Sequence, residues 1–211
     1  MFKLWGRNTS SNVQKVRWLC AELELRYEQT EVGGSFGRTR EPFYRAMNPN
    51  SLVPTIEDNG FTLYESNAIM RYLANKHLAH DIYPVALHGR ADCERWLDWN
   101  LSALGPAITP SFWGLIRTPA AQRDPAAILA SASKTFDMLA IVEDRLANNL
   151  YLCGPQLTLA DIGTGIQTHR WFNMPFDDIG YQRPELPNLA SWYQRLTQRK
   201  PFQDTVMIPL V

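Results

Sequence analysis

No charge of one sign dominates this 211-residue chain: 21 basic residues meet 21 acidic ones, for a formal net charge of zero. That balance supplies no general attraction to nucleic acid or to an anionic membrane surface. Cysteine is scarce. Cys20, Cys93 and Cys153 are odd in number, far apart and form no CxxC pair, which argues against a disulfide framework or a cysteine zinc site. They read as reduced thiols in a cytoplasmic protein. His77, His80, His88 and His169 lack metal-ligand spacing, so no metal is expected. No uninterrupted apolar run approaches the ~18 residues of a membrane span. The opening Met1-Phe2-Lys3-Leu4-Trp5-Gly6 has no basic segment leading into a long apolar one, so no secretory leader is expected. Gly33-Gly34-Ser35-Phe36-Gly37 is not followed by Gly-Lys-Ser/Thr and is no phosphate loop. Internal repeats and low-complexity tracts are missing.

What is there is ordinary globular composition, 45% hydrophobic and 20% charged. The first third alternates short apolar runs with helical patterns. Residues 2–5 predict a strand, 12–24 a helix with Val13, Val16, Leu19, Cys20 and Leu23 inward, and 26–32 a second strand. Residues 52–57 and 61–64 predict a hairpin around Asp58-Asn59-Gly60, and 65–77 a further helix. Beyond about Leu78 no period-two alternation persists. A helix over 90–104 carries Cys93, Trp96, Leu97, Leu101 and Leu104. Asp124-Pro125 opens one running to about Asn148, with Ile128, Leu129, Ala132, Phe136, Leu139, Val142 and Leu146 inward. Thr158-Leu159-Ala160-Asp161 fits a capping box, and 189–199 forms another helix before Pro201. The organisation is a small α/β domain over 1–79, a linker over 80–87, and an all-helical domain over 88–211.

Four segments in order carry more than architecture. They are Asn8-Thr9-Ser10-Ser11-Asn12 before the first helix, Asn48-Pro49-Asn50-Ser51-Leu52-Val53-Pro54, Tyr64-Glu65-Ser66-Asn67-Ala68-Ile69, and Leu157-Thr158-Leu159-Ala160-Asp161-Ile162. Together, and over the whole length, the chain resembles the cytosolic glutathione S-transferase superfamily, nearest its bacterial, theta- and beta-like members. The resemblance implies a thioredoxin-like N-terminal domain that binds glutathione, a helical second domain, glutathione as co-substrate, a small electrophile as second substrate, a role in detoxification and a homodimer.

The chemistry to be done is the stabilisation of a thiolate near neutral pH, although a free thiol titrates near ~8.5. A helix N-terminus with open amides and its positive dipole end does part of this, and a side-chain donor beside it does more. Ser10 stands where theta-like relatives place such a donor. Asn12 matches an alternative used by some bacterial relatives, and Thr9 is a third candidate. As isolated residues, Ser10, Ser11 and Asn12 would read simply as helix caps. Val53-Pro54 resembles the family's cis-proline corner, which presents the Val53 backbone to glutathione in β-strand fashion. Glu65 and Ser66, at a helix start, suit the γ-glutamyl end. Ser51 matches a polar position near the glycine carboxylate. Thr158 and Asp161 are read as structural.

For the second substrate, the resemblance points to the loop carrying Arg7 and to Trp113 and Arg117, four apart on one helical face. Two guanidinium groups beside an aromatic wall favour a small anionic electrophile. The bland alternative makes Trp113 core and Arg117 a solvated helix end. Trp171 and Phe172 are expected mainly in the core, and Asp98 or Asn100 at a partner subunit's γ-glutamyl group. Two other activities on this fold are weighed. A glutathione-dependent oxidoreductase normally places a cysteine before the first helix, where Ser10, Ser11, Asn12 and Val13 stand, which leaves open a disulfide reductase or peroxidase that uses bound glutathione alone; the zeta-class isomerases carry a cysteine at the position of Asn12. A non-catalytic transferase-fold binding protein tends to lose the ligand-site residues that are intact here.

Overall fold

The computed structural model describes residues 1–211. Strand β1 (Phe2–Trp5) buries Phe2 and Leu4 while Lys3 faces out, the period-two signature of a strand with one covered face. Helix α1 (Ser11–Glu22) leads to β2 (Tyr27–Thr30), which runs parallel to β1. A short helix α2 (Pro42–Met47) lies in the connection, a region left without an element by the sequence pattern. Six residues are too few to display a helical period, and only Tyr44 is buried. Strands β3 (Thr55–Asp58) and β4 (Phe61–Tyr64) form the expected hairpin, with Asn59 and Gly60 both at positive φ, 51° and 83°. The sheet order is β2-β1-β3-β4, with β3 antiparallel to both neighbours. Helix α3 (Ser66–Lys76) completes this half.

The second half is helical throughout. Helix α4 (Leu87–Trp99) passes through a π-helical turn (Asn100–Leu104) into α5 (Gly105–Phe112), and a second π turn (Trp113–Arg117) ends the rod. Pro110 sits inside α5. Helix α6 (Pro125–Leu146) starts as expected, with the Asp124 carboxylate accepting from the Ala127 amide at 3.0 Å. Two residues expected inward are not. Leu129 on α6 and Leu101 in the first π turn are both exposed, Leu101 because the wider π turn rotates it off the core face into a cleft. By length and apolar composition α6 suffices to cross a membrane, although Lys134 and Asp137 divide its apolar sequence. In this fold it packs against α5 and α8. Helices α7 (Leu159–Asn173), α8 (Pro187–Thr197) and α9 (Lys200–Thr205) follow, with Pro201 in the first turn of α9.

Helix α7 is buried along its length. Its capping box is complete, and Asp161 does more than cap: it accepts from the Leu152 and Thr158 amides at 2.9 Å each, from the Trp192 indole at 3.0 Å and from the Thr158 hydroxyl at 3.1 Å. Trp171 is in the core against Phe176, and Phe172 stacks on Tyr193 at 4.8 Å. The two halves are joined through α1. Trp18 is fully buried against Phe202 at 4.8 Å, and a Cβ on Gly165 would lie 3.1 Å from its ring. Glu22 accepts from the Trp18 indole at 2.8 Å and pairs with Arg199 at 2.6 Å.

His169, on α7, hydrogen-bonds the Tyr193 hydroxyl at 2.8 Å. Burial, reinforced by the adjacent Arg170 charge, holds its imidazole down at about 4, against an ordinary 6.5. The unfolded chain therefore takes up this proton first as pH falls, so His169 contributes stability above pH ~6.5 that is lost on the way down to about pH 4. Asp161 acts in the opposite sense, since burial raises its carboxyl from 3.8 to about 6 against the pull of its four donors. Removing the histidine separates the two. Between pH 7 and pH 4, urea titrations are expected to show His169→Gln gaining up to about 3 kcal/mol relative to the native chain; a pH-independent difference would exclude His169 as the responsible group.

Candidate functional site

The chain brings three separated segments to the open end of α1. Ser10 occupies the N-cap position with extended φ and ψ of −80° and 123°, but its hydroxyl makes no capping bond, contrary to the simple cap reading. The first three amides, of Ser11, Asn12 and Val13, have no backbone partner. Asn12 Oδ1 accepts from the Ser66 hydroxyl at 3.3 Å, which ties the starts of α1 and α3 together across 54 residues of sequence. Ser66 is buried and Glu65 exposed. Thr9 is half-buried in the turn before α1.

The third segment is held by a small polar network. The Tyr44 hydroxyl donates to the Leu52 carbonyl at 2.7 Å and bonds Thr55 Oγ1 at 2.9 Å, while Asn48 donates to the same carbonyl at 2.9 Å and accepts from the Asn50 amide at 3.0 Å. These bonds fix the turn that carries Ser51, at φ 57°, and the cis Val53-Pro54 bond. Neither the N–H nor the C=O of Val53 is engaged within the chain. An extended ligand strand would satisfy both. Gly6 and Gly33 pack against the Val53 side chain, and Gly34, at φ 60°, lets Arg7 lie so close that a Cβ there would be 2.9 Å from the guanidine stem. The glycine-rich stretch Gly33-Gly34-Ser35-Phe36-Gly37 is a single 3₁₀ turn (Gly34–Phe36), closed by the Gly33 amide on the Gly37 carbonyl at 2.7 Å.

Trp113 and Arg117 share one face, as their spacing requires, with the guanidinium 4.7 Å from the indole and 5.1 Å from the Phe112 ring. Trp113 is 53% exposed, so it is a surface wall and not core. Arg117 Nε donates to the Val211 carbonyl at 3.3 Å. Asn100 is not available to a second subunit: it is buried and donates to the Gly163 carbonyl at 3.2 Å. Asp98 pairs with Arg71 at 3.1 Å.

Two charged residues near the site were not legible in the sequence. Lys15, 2% exposed, lies four residues beyond Ser11, and Arg170, 8% exposed, is on α7. Both line a cleft of about 370 Å³ whose other walls include Ser11, Asn12, Leu101, Thr109 and Gln167. Burial and then Arg170 pull the Lys15 amine down to about 8, with Glu65 opposing. Burial, then Arg117 and Arg7, hold Arg170 below its ordinary value. In the sequence, a single lysine within α1 reads as a solvated side chain, and nothing local marks it as covered.

The two halves of the chain match two family models, glutathione S-transferase N-terminal domain over residues 1–75 and glutathione S-transferase C-terminal domain over 103–200. The chain belongs to the glutathione S-transferase family. As a glutathione S-transferase it is an enzyme that takes glutathione as co-substrate, and the expected thioredoxin-like and helical domain classes hold. It is 39% identical to glutathione S-transferase GstB of Escherichia coli over the full length of both chains. Glutathione S-transferase 3 of Zea mays is 30% identical over 99% of this chain and 95% of its own. A theta class glutathione S-transferase from Xanthomonas axonopodis pv. citri, solved with glutathione bound, superposes with a TM-score of 0.94 at 43% identity, over 100% of this chain and 99% of that one.

Glu65 has φ and ψ of 71° and 111°, a region that costs a residue with a Cβ of order 1–3 kcal/mol. Glu65→Gly is expected to raise stability by about 1 kcal/mol in urea unfolding of the ligand-free transferase. A loss of that size would mean that the Glu65 side chain, and not the geometry of its backbone, is what the fold needs here.

Proposed function

We propose that this glutathione transferase joins the glutathione sulfur to a small anionic electrophile. The observation that carries the reading is the meeting of the open α1 N-terminus with Ser66 through Asn12, beside the unengaged Val53 backbone. In this reading Val53 pairs with the central residue of glutathione. Pro54 holds the corner, and the α3 amides with Ser66 and Glu65 take the γ-glutamyl end. Ser51 lies toward the glycine carboxylate. The Ser10 hydroxyl, uncommitted to capping, donates to the sulfur and favours its thiolate, helped by the α1 amides; Asn12 shares this role, with Thr9 as reserve. Glutathione itself supplies the nucleophile, which is consistent with serine and asparagine here in place of the cysteine of a disulfide reductase. Arg7, Trp113 and Arg117 form the electrophile wall, and the Arg117 guanidinium stacked on Trp113 supports its anionic character. The same reading divides the chain into domains over 1–79 and 88–211 and makes it a cytoplasmic homodimer in detoxification.

Retention on immobilised glutathione tests the first step, and the ultraviolet thiolate absorbance of the bound tripeptide tests the second. Ser10→Ala is expected to raise the thiol titration midpoint by about one pH unit, the worth of one hydrogen bond to a charged group, with a smaller rise for Asn12→Ala. Unchanged midpoints in both would leave thiolate stabilisation to the helix amides alone and remove both side chains from the mechanism.

A further inference from the structure

The Lys15 and Arg170 side chains do not have the environment of two structural cations. Each is more than nine-tenths buried, and no carboxylate lies within ion-pair distance of either. The single hydrogen bond of the Lys15 ammonium is a long one, 3.4 Å to Asn67 Oδ1. Arg170 makes none; its guanidinium stacks 3.9 Å from the centre of the Phe112 ring, which fixes its plane and leaves its N–H groups directed at the cleft. The two charges also repel each other across that cleft, the Arg170 charge lowering the basicity of Lys15. Burying one unpaired charge costs several kcal/mol, and burying two like charges together costs more. The carboxylate that acts on the Lys15 charge, Glu65, is exposed and lies beyond ion-pair distance.

We propose that Lys15 and Arg170 form the anchor for a carboxylate on the electrophile, at the floor of the cleft beneath the thiolate position. This rests on the transferase reading above and moves the seat of anion recognition from the exposed rim, Arg7 and Arg117, to a desolvated pair inside. The cleft has the right placement, since Ser11 and Asn12 of the α1 end form one wall and Arg170 another. A planar carboxylate suits the guanidinium fork on one edge and the ammonium on the other. With Glu65 offsetting part of the positive charge at Lys15, a single negative charge balances the floor. The substrate class is therefore small electrophilic monocarboxylic acids.

A matched pair of aromatic electrophiles tests this, 4-chloro-3-nitrobenzoate and its neutral amide, 4-chloro-3-nitrobenzamide, with the intact transferase and glutathione. With either, a C–S bond forms as the C–Cl bond breaks, chloride leaves, and the thiol proton passes to solvent. The native enzyme is expected to prefer the benzoate in kcat/KM. Lys15→Met and Arg170→Gln should each lower the benzoate-to-benzamide ratio by about 10- to 100-fold, the worth of one charge-assisted hydrogen bond, and Arg117→Gln by much less. A ratio unmoved by Arg170→Gln overturns the anchor, including the case where the thiolate titration midpoint shifts instead and the cations serve glutathione's sulfur. Should Lys15→Met not fold, Arg170→Gln alone decides by the same ratio, with Arg170→Lys expected to restore part of it. Should neither compound react although glutathione binds, the transferase reading of the electrophile fails. The anchor then stands or falls on whether unreactive 3-nitrobenzoate raises Tm more than 3-nitrobenzamide in the native protein and not in Arg170→Gln.

Discussion

Helix α1 is buried from two directions. One side packs on α3, the other on α7 and α9, and Val13, Val16, Trp18 and Leu19 are fully buried. Trp18 fills the place that Gly165 leaves open, and the Glu22–Arg199 pair closes the far end. The direction of α1 is thereby settled by both domains at once. Its N-terminus, with three open amides, points into the seam between them, where the dipole end of a helix is worth most because little water screens it. The proposed placement of glutathione at that end, with the second substrate on the helical side, rests on this one seating.

The electrostatics of the seam differ from those of the molecule. Taken whole, the chain is neutral; in the cleft, Lys15 and Arg170 are desolvated, with Arg117 and Arg7 near enough to affect the Arg170 charge. An exposed cluster of this kind would be screened by salt and would discriminate weakly. A buried one is screened much less, so it selects by charge at physiological ionic strength.

Much of the fold is visible in the sequence because each element carries a local signature: alternation in β1, Asn-Gly in the hairpin, Asp-Pro before α6, Thr-x-x-Asp before α7. Helix α2 was not visible, being too short to show a period, and Leu101 was misjudged because a π turn breaks the phase that an ideal helix would keep. The segments around Ser10, Val53-Pro54 and Glu65-Ser66 are legible as motifs because each stands at or just before the start of an element, where local structure restricts the residue type. Lys15 and Arg170 were not. A lysine or arginine within a helix reads as solvated until a second element is known to cover it, and α7 covers Lys15 from a point 155 residues further along the chain. Long-range burial has no local sign.

Helix α7 carries a capping network at one end and a cleft-lining arginine at the other. Asp161 ties its start to Leu152, Thr158 and Trp192, while Arg170 reaches the cleft about two and a half turns later, and no face of the helix between them is exposed. The rod from Leu87 to Arg117 is built differently, with two π turns, an internal proline and open flanks at Pro106, Thr109, Pro110 and Trp113. Random mutation therefore meets two unequal walls. The rod side of the cleft tolerates drift and can be reshaped for new electrophiles, while the α7 side changes only together with the core. Substitutions drawn at random therefore alter the shape of this cleft far sooner than the charge of its floor.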